Sequence, residues 1–254
     1  MDIAESEVFD SHFHIIDPRF PLTPNQGYLP EAFICQDYLQ QCAGLRLQGG
    51  AVVSGSFQAY DQTYLLDALQ QLGDDFVGVT QLPATVTDDE IMALNSQGVR
   101  AVRFNLKRGG SESVAHLEGL ANRVYDLVGW HVELYVDSSL LDDLYKTLIS
   151  LPAASIDHLG LSKSGFPTLL KLAEKGIGIK ATGFGRVNFD IKSALKDIVS
   201  ANPNVLMFGT DLPSTRAPRP YCDEDLLLIY DSLPINLCEQ VLYKNAQKFY
   251  RVSE

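Results

Sequence analysis

Apolar, strand-like stretches alternate with helical ones along nearly the whole chain, and no other feature narrows its possible folds as far. Strand patterns fall at V-F-D-S-H-F-H-I-I-D from Val8, G-G-A-V-V-S-G-S from Gly49, Phe76 to Leu82, and Val99 to Leu106. Four more lie at H-V-E-L-Y-V-D from His131, Ala154 to Gly160, Ile177 to Gly183, and V-L-M-F-G-T-D-L-P from Val205. Between them, amphipathic patterns run from about Cys35 to Gln48, Asp61 to Leu72, Ser113 to Gly129, Phe166 to Glu174 and Ile191 to Ser200. Thr87 with Glu90 forms a capping box for a further helix ending at Gly98, and Ser138 can cap another running to about Leu151. Helices at Asp223 to Ser232 and Asn236 to Tyr250 close the chain. Strands that alternate with crossover helices lie parallel. Eight such repeats within 254 residues predict an α/β fold, a closed (β/α)8 TIM barrel, with residues 1–254 as one domain and a helix at the C-terminus. An open doubly wound sheet is the alternative, and the absence of G-x-G-x-x-G after the first strand counts against its dinucleotide-binding form.

Acidic residues number 32 against 20 basic ones, for a net charge of −12, which repels phosphate backbones and anionic membrane surfaces. Nucleic acid is excluded as a partner on this ground. An anionic small substrate is not, because arginines inside a pocket outweigh a surface screened over roughly 10 Å. The acidic start M-D-I-A-E-S-E lacks a signal peptide's basic end, and no window reaches the roughly 18 apolar residues of a membrane span. The expected location is the cytoplasm. Cys35, Cys42, Cys222 and Cys238 have no C-x-x-C spacing and are expected as reduced thiols. A loop with Pro18, Pro21, Pro24 and Pro30 follows the first strand and is long enough to cover a pocket.

In a barrel, one face of each strand meets helices and the other the interior. Regular alternation puts Asp10, His12 and His14 on one face of the first strand. It points Arg103 and Asn105 inward on the fourth, His131, Glu133, Tyr135 and Asp137 on the fifth, and Met207, Gly209 and Asp211 on the eighth. Asp10, Glu133 and Lys180 lie one layer below the strand ends and are expected to satisfy one another, since unpaired buried charge costs several kcal/mol. His12, His14, Arg103, Tyr135, His158, Arg186 and Asp211 gather at the C-terminal ends, where barrel enzymes keep their chemistry. Arg103 has no evident acid partner in the sequence, which leaves room for a substrate carboxylate. Taken singly, His158 could be a core residue and Asp211 a turn residue; for Arg108, Arg216 and Arg219, in loops after the fourth and eighth strands, solvated charge and anion binding are both open. His116 is expected on the surface and His131 at the barrel floor.

The succession F-D-S-H-F-H, G-V-R-A-V-R-F-N, G-W-H-V-E-L-Y-V-D, I-D-H-L-G, K-A-T-G-F-G-R and F-G-T-D-L-P resembles the amidohydrolase superfamily (amidohydrolase 2 type). Within it, the sequence is similar to the lactonase branch that includes 2-pyrone-4,6-dicarboxylate lactonase and sugar lactonases. The resemblance implies a hydrolase that opens a carboxylate-bearing cyclic ester, with Asp211 taking a proton from water. It further implies that His12, His14 and His158 act on the carbonyl, and that Arg103, Arg108, Tyr135 and Arg186 hold substrate carboxylates. Metal-dependent members carry a histidine at the end of strand five, where this chain has Tyr135. A metal-free site is therefore preferred, with zinc on His12, His14 and Asp211, and His158 nearby, as the alternative. Two other readings stay open: a zinc-dependent amidohydrolase or decarboxylase acting on a small carboxylate, and a barrel that binds an acidic ligand without turnover.

Overall fold

The computed structural model describes residues 6–252. Eight parallel strands form a single sheet in chain order: β1 Glu7–Phe13, β2 Arg46–Val53, β3 Phe76–Thr80, β4 Val99–Asn105, β5 His131–Tyr135, β6 Ala154–Ile156, β7 Gly178–Ala181 and β8 Leu206–Phe208. The crossover helices are α1 Cys35–Gln41, α2 Thr63–Leu72, α3 Asp88–Ser96, α4 Leu117–Val128, α5 Leu141–Ser150, α6 Phe166–Glu174 and α7 Ile191–Ala201. α8 Asp223–Ser232 follows β8, and a final helical run comprises α9 Ile235–Glu239, a π-helical turn Gln240–Lys244 and α10 Asn245–Tyr250. The Asp211 amide donates to the His12 carbonyl and the His14 amide to the Leu212 carbonyl, both at 2.7 Å, which joins the segment after β8 to β1. The architecture is a (β/α)8 barrel.

The alternation that predicts the barrel also sorts its core. Val102, Phe104, Val132, Leu134, Val136, Leu206 and Phe208 pack in the outer cluster against the helices. Phe9, Ala51, Val53, Val77, Val79, Ala101 and Met207 pack together inside, with Ala246 and Tyr250 from the last helix closing the floor. Apart from His12, the interior is thus apolar along β1 to β3. Arg103, Glu133 and Lys180, all buried, bring charge from β4, β5 and β7.

On β1 the regular alternation fails. Its pairing with β2 shifts register between Asp10 and Phe13, so Phe9 and His12, three residues apart, both face inward. Asp10 faces the other way, towards α1. Its carboxylate accepts hydrogen bonds from the amides of His12 (3.1 Å) and Thr210 (2.8 Å) and the hydroxyls of Thr210 (2.6 Å) and Tyr38 (3.1 Å). The expectation that Asp10 joins Glu133 and Lys180 is therefore corrected: a bulge needs an acceptor for its displaced amide, and Asp10 supplies it while clamping the β1–β8 seam.

Three smaller differences have local causes. The amphipathic pattern from Cys35 to Gln48 contains only the short α1, because Arg46 already pairs with Glu7 in the sheet. Asp137, expected inward, instead caps the helical turn at Ser138–Leu140 by accepting from the Ser139 amide, the role expected of Ser138. Asp137 also accepts from Lys107 and Ser162 at the rim. The capping box of Thr87 and Glu90 forms as its spacing predicts, His116 is exposed beside Glu112, and His131 lies at the floor against Phe249.

Candidate active site

At the C-terminal end of the barrel three imidazoles converge on one carboxylate oxygen. Oδ1 of Asp211 lies 3.8 Å from His14 Nε2 and 4.0 Å from both His12 Nε2 and His158 Nε2. Asp211 and all three histidines are buried. Among the described residues neither Asp211 Oδ1 nor His12 Nε2 has a hydrogen-bond partner, a costly arrangement that native structures keep chiefly where a reacting group must enter. Two of the four residues sit in left-handed backbone, His158 at φ 54° and Asp211 at φ 61°. That conformation is rare for residues with a Cβ and concentrates at functional sites.

Each imidazole is held from behind. Nδ1 of His14 donates to the Val53 carbonyl at 2.7 Å, Nδ1 of His158 meets the Thr182 hydroxyl at 2.7 Å, and Nδ1 of His12 faces the Lys180 ammonium at 3.3 Å. Burial, reinforced by Arg103, pushes His14 down to about 3. Burial with Lys180 and Arg103 holds His12 well below the usual histidine range, and burial with Arg186 does the same for His158. All three rings are neutral near pH 7. Burial pushes the Asp211 carboxyl up, and Arg186 offsets this only in part.

The arginines divide by partner. Arg103 is buried, donating through Nε and Nη2 to Asp157 Oδ2 at 3.2 and 2.8 Å and through Nη1 to the Ser54 carbonyl at 2.7 Å. The expectation that it has no acid partner is thus corrected. Arg186 donates through Nε to Asp211 Oδ2 at 2.7 Å and through Nη2 to the Thr215 carbonyl at 2.9 Å. The Arg108 guanidinium has no acid partner among the described residues, and it lines one pocket with His14, Asn105, Tyr135, His158 and Arg216. Over this pocket the loop after β1 forms a strap. Asn25 and Gln26 donate to the Arg108 carbonyl at 3.2 Å, and Arg216 donates to Asn25 while its guanidinium lies 4.2 Å from the Tyr28 ring centre.

The amidohydrolase family model matches residues 9–252. The chain belongs to the amidohydrolase 2 family. It is 25% identical over 278 aligned positions to the 2-pyrone-4,6-dicarboxylate hydrolase of Comamonas testosteroni, covering 95% of this chain and 89% of that protein. It is also 25% identical to the 4-sulfomuconolactone hydrolase of Hydrogenophaga intermedia, covering 81% of this chain and 74% of that one. Among solved structures, an Agrobacterium tumefaciens protein superimposes with a TM-score of 0.85 at 19% identity, covering 98% and 97% of the two chains. A Pseudomonas putida structure described as a 2-pyrone-4,6-dicarboxylic acid hydrolase gives 0.82 at 24%, covering 97% and 98%. These structural likenesses show the fold.

In this amidohydrolase the donor set fits a divalent ion. His12, His158 and Asp211 offer ligand atoms within 4.8 Å of one another, and two of those atoms are the ones without partners. His14, expected as a ligand ahead of His158, stands outside that tight triad. Among the described residues no helix is long and apolar enough to cross a membrane, and all four cysteines are free thiols.

Sequence reasoning overlooked Asp157. Alternation along β6 could have found it: Ala154 and Ile156 pack outward, so Ser155 and Asp157 belong inside. Overlooked too was Thr182, the hydroxyl behind His158.

Proposed function

We propose that this amidohydrolase hydrolyses a lactone that carries at least one carboxylate. The observation that carries the reading is Asp211 Oδ1: a buried carboxylate oxygen with no hydrogen bond, ringed by three neutral imidazoles beside a pocket lined by arginines. In hydrolysis, Asp211 accepts a proton from water as the water oxygen bonds to the lactone carbonyl carbon. The carbonyl oxygen gains the displaced electron pair, and Arg103 with N–H donors on His12 and His158 stabilises it, while His14, whose proton is on the Nδ1 that donates to Val53, presents only a lone pair. Collapse breaks the ring C–O bond, and the proton held by Asp211 passes to the leaving oxygen. The product is an open-chain hydroxy or oxo acid. Arg108 and Tyr135 hold the substrate carboxylate, since the forks of Arg103 and Arg186 are already engaged by acids.

A divalent ion held by His12, His158 and Asp211 would polarise the carbonyl as a Lewis acid. The fit of those residues to zinc keeps a second reading, a zinc-dependent amidohydrolase or decarboxylase on a small carboxylate. One experiment separates the readings: ring opening followed by absorbance across paired lactones with and without carboxylates, on chelated protein and on the same protein given zinc. The expected result is turnover of the carboxylated members by chelated protein. Lactone turnover that appears only with zinc overturns the metal-free route, absence of lactone turnover in both states favours the second reading, and equal rates on neutral lactones overturn the role of the arginines. Asp211→Asn should lower kcat by about 10²–10⁴-fold while keeping the fold, because asparagine tolerates left-handed backbone. An unaltered kcat would remove Asp211 as the base. Ligand affinity without turnover, surviving this substitution, would mean a binding barrel.

A further inference from the structure

Beneath the converging histidines lies a second cluster with metal-like spacing, His12, Glu133 and Asp157, all buried. It already holds a cation. The fully buried Lys180 ammonium donates to Glu133 Oε2, stands 3.3 Å from His12 Nδ1 and lies 3.8 Å from Asp157 Oδ1. The far side of Glu133 is closed by the Tyr250 hydroxyl and by His131 Nε2 at 3.1 Å.

An ammonium has three donors and no acceptor. The His12 nitrogen facing it must therefore present a lone pair, and a proton on Nδ1 would set donor against donor. We propose that Lys180 is a built-in cation that keeps the His12 proton on Nε2, so that His12 presents an N–H donor to the reacting carbonyl and is withheld from metal ligation. Lys180 is a positioning residue, acting only through His12. The alternative acceptor for a proton on Nδ1 is already in place, Asp157 Oδ1 at 3.5 Å. Removing the ammonium lets that proton move to Nδ1 and turns Nε2 into a lone pair aimed at the site. The contribution to catalysis rests on the lactonase reading; the proton assignment does not.

The test is nitrogen-15 NMR of the imidazoles in the metal-free protein, with the His12 signals assigned by their loss in His12→Gln. His12 should show a protonated Nε2 and an unprotonated Nδ1. A protonated Nδ1 overturns the proposal. Lys180→Met strands the Glu133 carboxylate and can fail to fold, so the comparison uses Lys180→Met/Glu133→Gln, which removes both charges together. In that variant the His12 pattern should invert, and zinc affinity measured by titration should rise at least ten-fold over the unsubstituted protein. An uninverted pattern, or unchanged zinc affinity, overturns it. Loss of lactone turnover in every assay, with the expected His12 pattern intact, would instead remove the functional reading and leave the role of Lys180 standing.

Discussion

Asp211 carries its two oxygens in opposite surroundings, and its chemistry follows from that difference. Oδ2 is fixed by Arg186 at 2.7 Å, whereas Oδ1 has no hydrogen bond. Only the ionised carboxylate can take a proton from water, so kcat should rise with pH through the folded-state pKa of Asp211. Burial sets that pKa above the usual aspartate value of 3.8, and Arg186 draws it part of the way back. Arg186→Met removes the opposing charge, so the acid limb of the kcat profile should move to higher pH. A limb that stays in place would assign the titration to another group. Single residues of this kind were partly legible in the sequence. The polar residues at strand ends pointed to the rim, but partnership did not. Asp157 neutralises Arg103 from just past a strand of three residues, 54 positions away, and no local pattern marks such a pair.

At the scale of elements, the strands and helices follow from hydrophobic periodicity, and the departures occur where the backbone breaks that periodicity. The bulge in β1 brings His12 inward with Phe9, and left-handed backbone at His158 lets two consecutive residues, Asp157 and His158, both serve the interior. Alternation announces neither break: Asp10 accepts the displaced His12 amide but is itself held by Thr210 across the seam, and the hydroxyl behind His158 comes from Thr182. Gly183 shows how tightly the loop after β7 fits this geometry. Its φ is +58°, and a Cβ there would stand 2.7 Å from His158 Nδ1 and 2.9 Å from Arg186 Cδ. Gly183→Ala must therefore displace one of two site residues. It should cost about 1 kcal/mol of stability through the strained φ, and up to about 10²-fold in kcat/KM through misplacement of about 1 Å. Unchanged kinetics in a variant with a lowered melting temperature would show that the His158 position is not critical.

For the whole molecule, buried carboxylates pull stability in opposite directions with pH. Burial pushes Asp10 up to about 6, and burial also raises Asp211. What those two contribute is greatest at low pH and is lost as pH rises through their folded values. Glu133 does the reverse. Burial pushes its carboxyl up, but Lys180, with His131, brings it down to about 2, below the 4.5 of an ordinary glutamate. Its contribution is present above pH 4.5 and lost as pH falls towards 2. Within that window the unfolded chain binds a proton that the native barrel does not, so stability rises with pH by up to about 1.4 kcal/mol per unit from this group alone. Asp157, lowered by Arg103 and Lys180 against burial, adds in the same sense. Glu133→Gln removes one titrating group from the native barrel and the unfolded chain alike. Urea unfolding at a series of pH values should then show a slope between pH 4.5 and 2 that is shallower by up to about 1.4 kcal/mol per unit. That change is separable from any uniform loss of stability caused by leaving Lys180 unpaired, because an offset moves the whole curve while a lost titration alters its gradient. An identical gradient in the two proteins would mean that native Glu133 takes up its proton across the same window as the unfolded chain, and that Lys180 does not hold its carboxyl down.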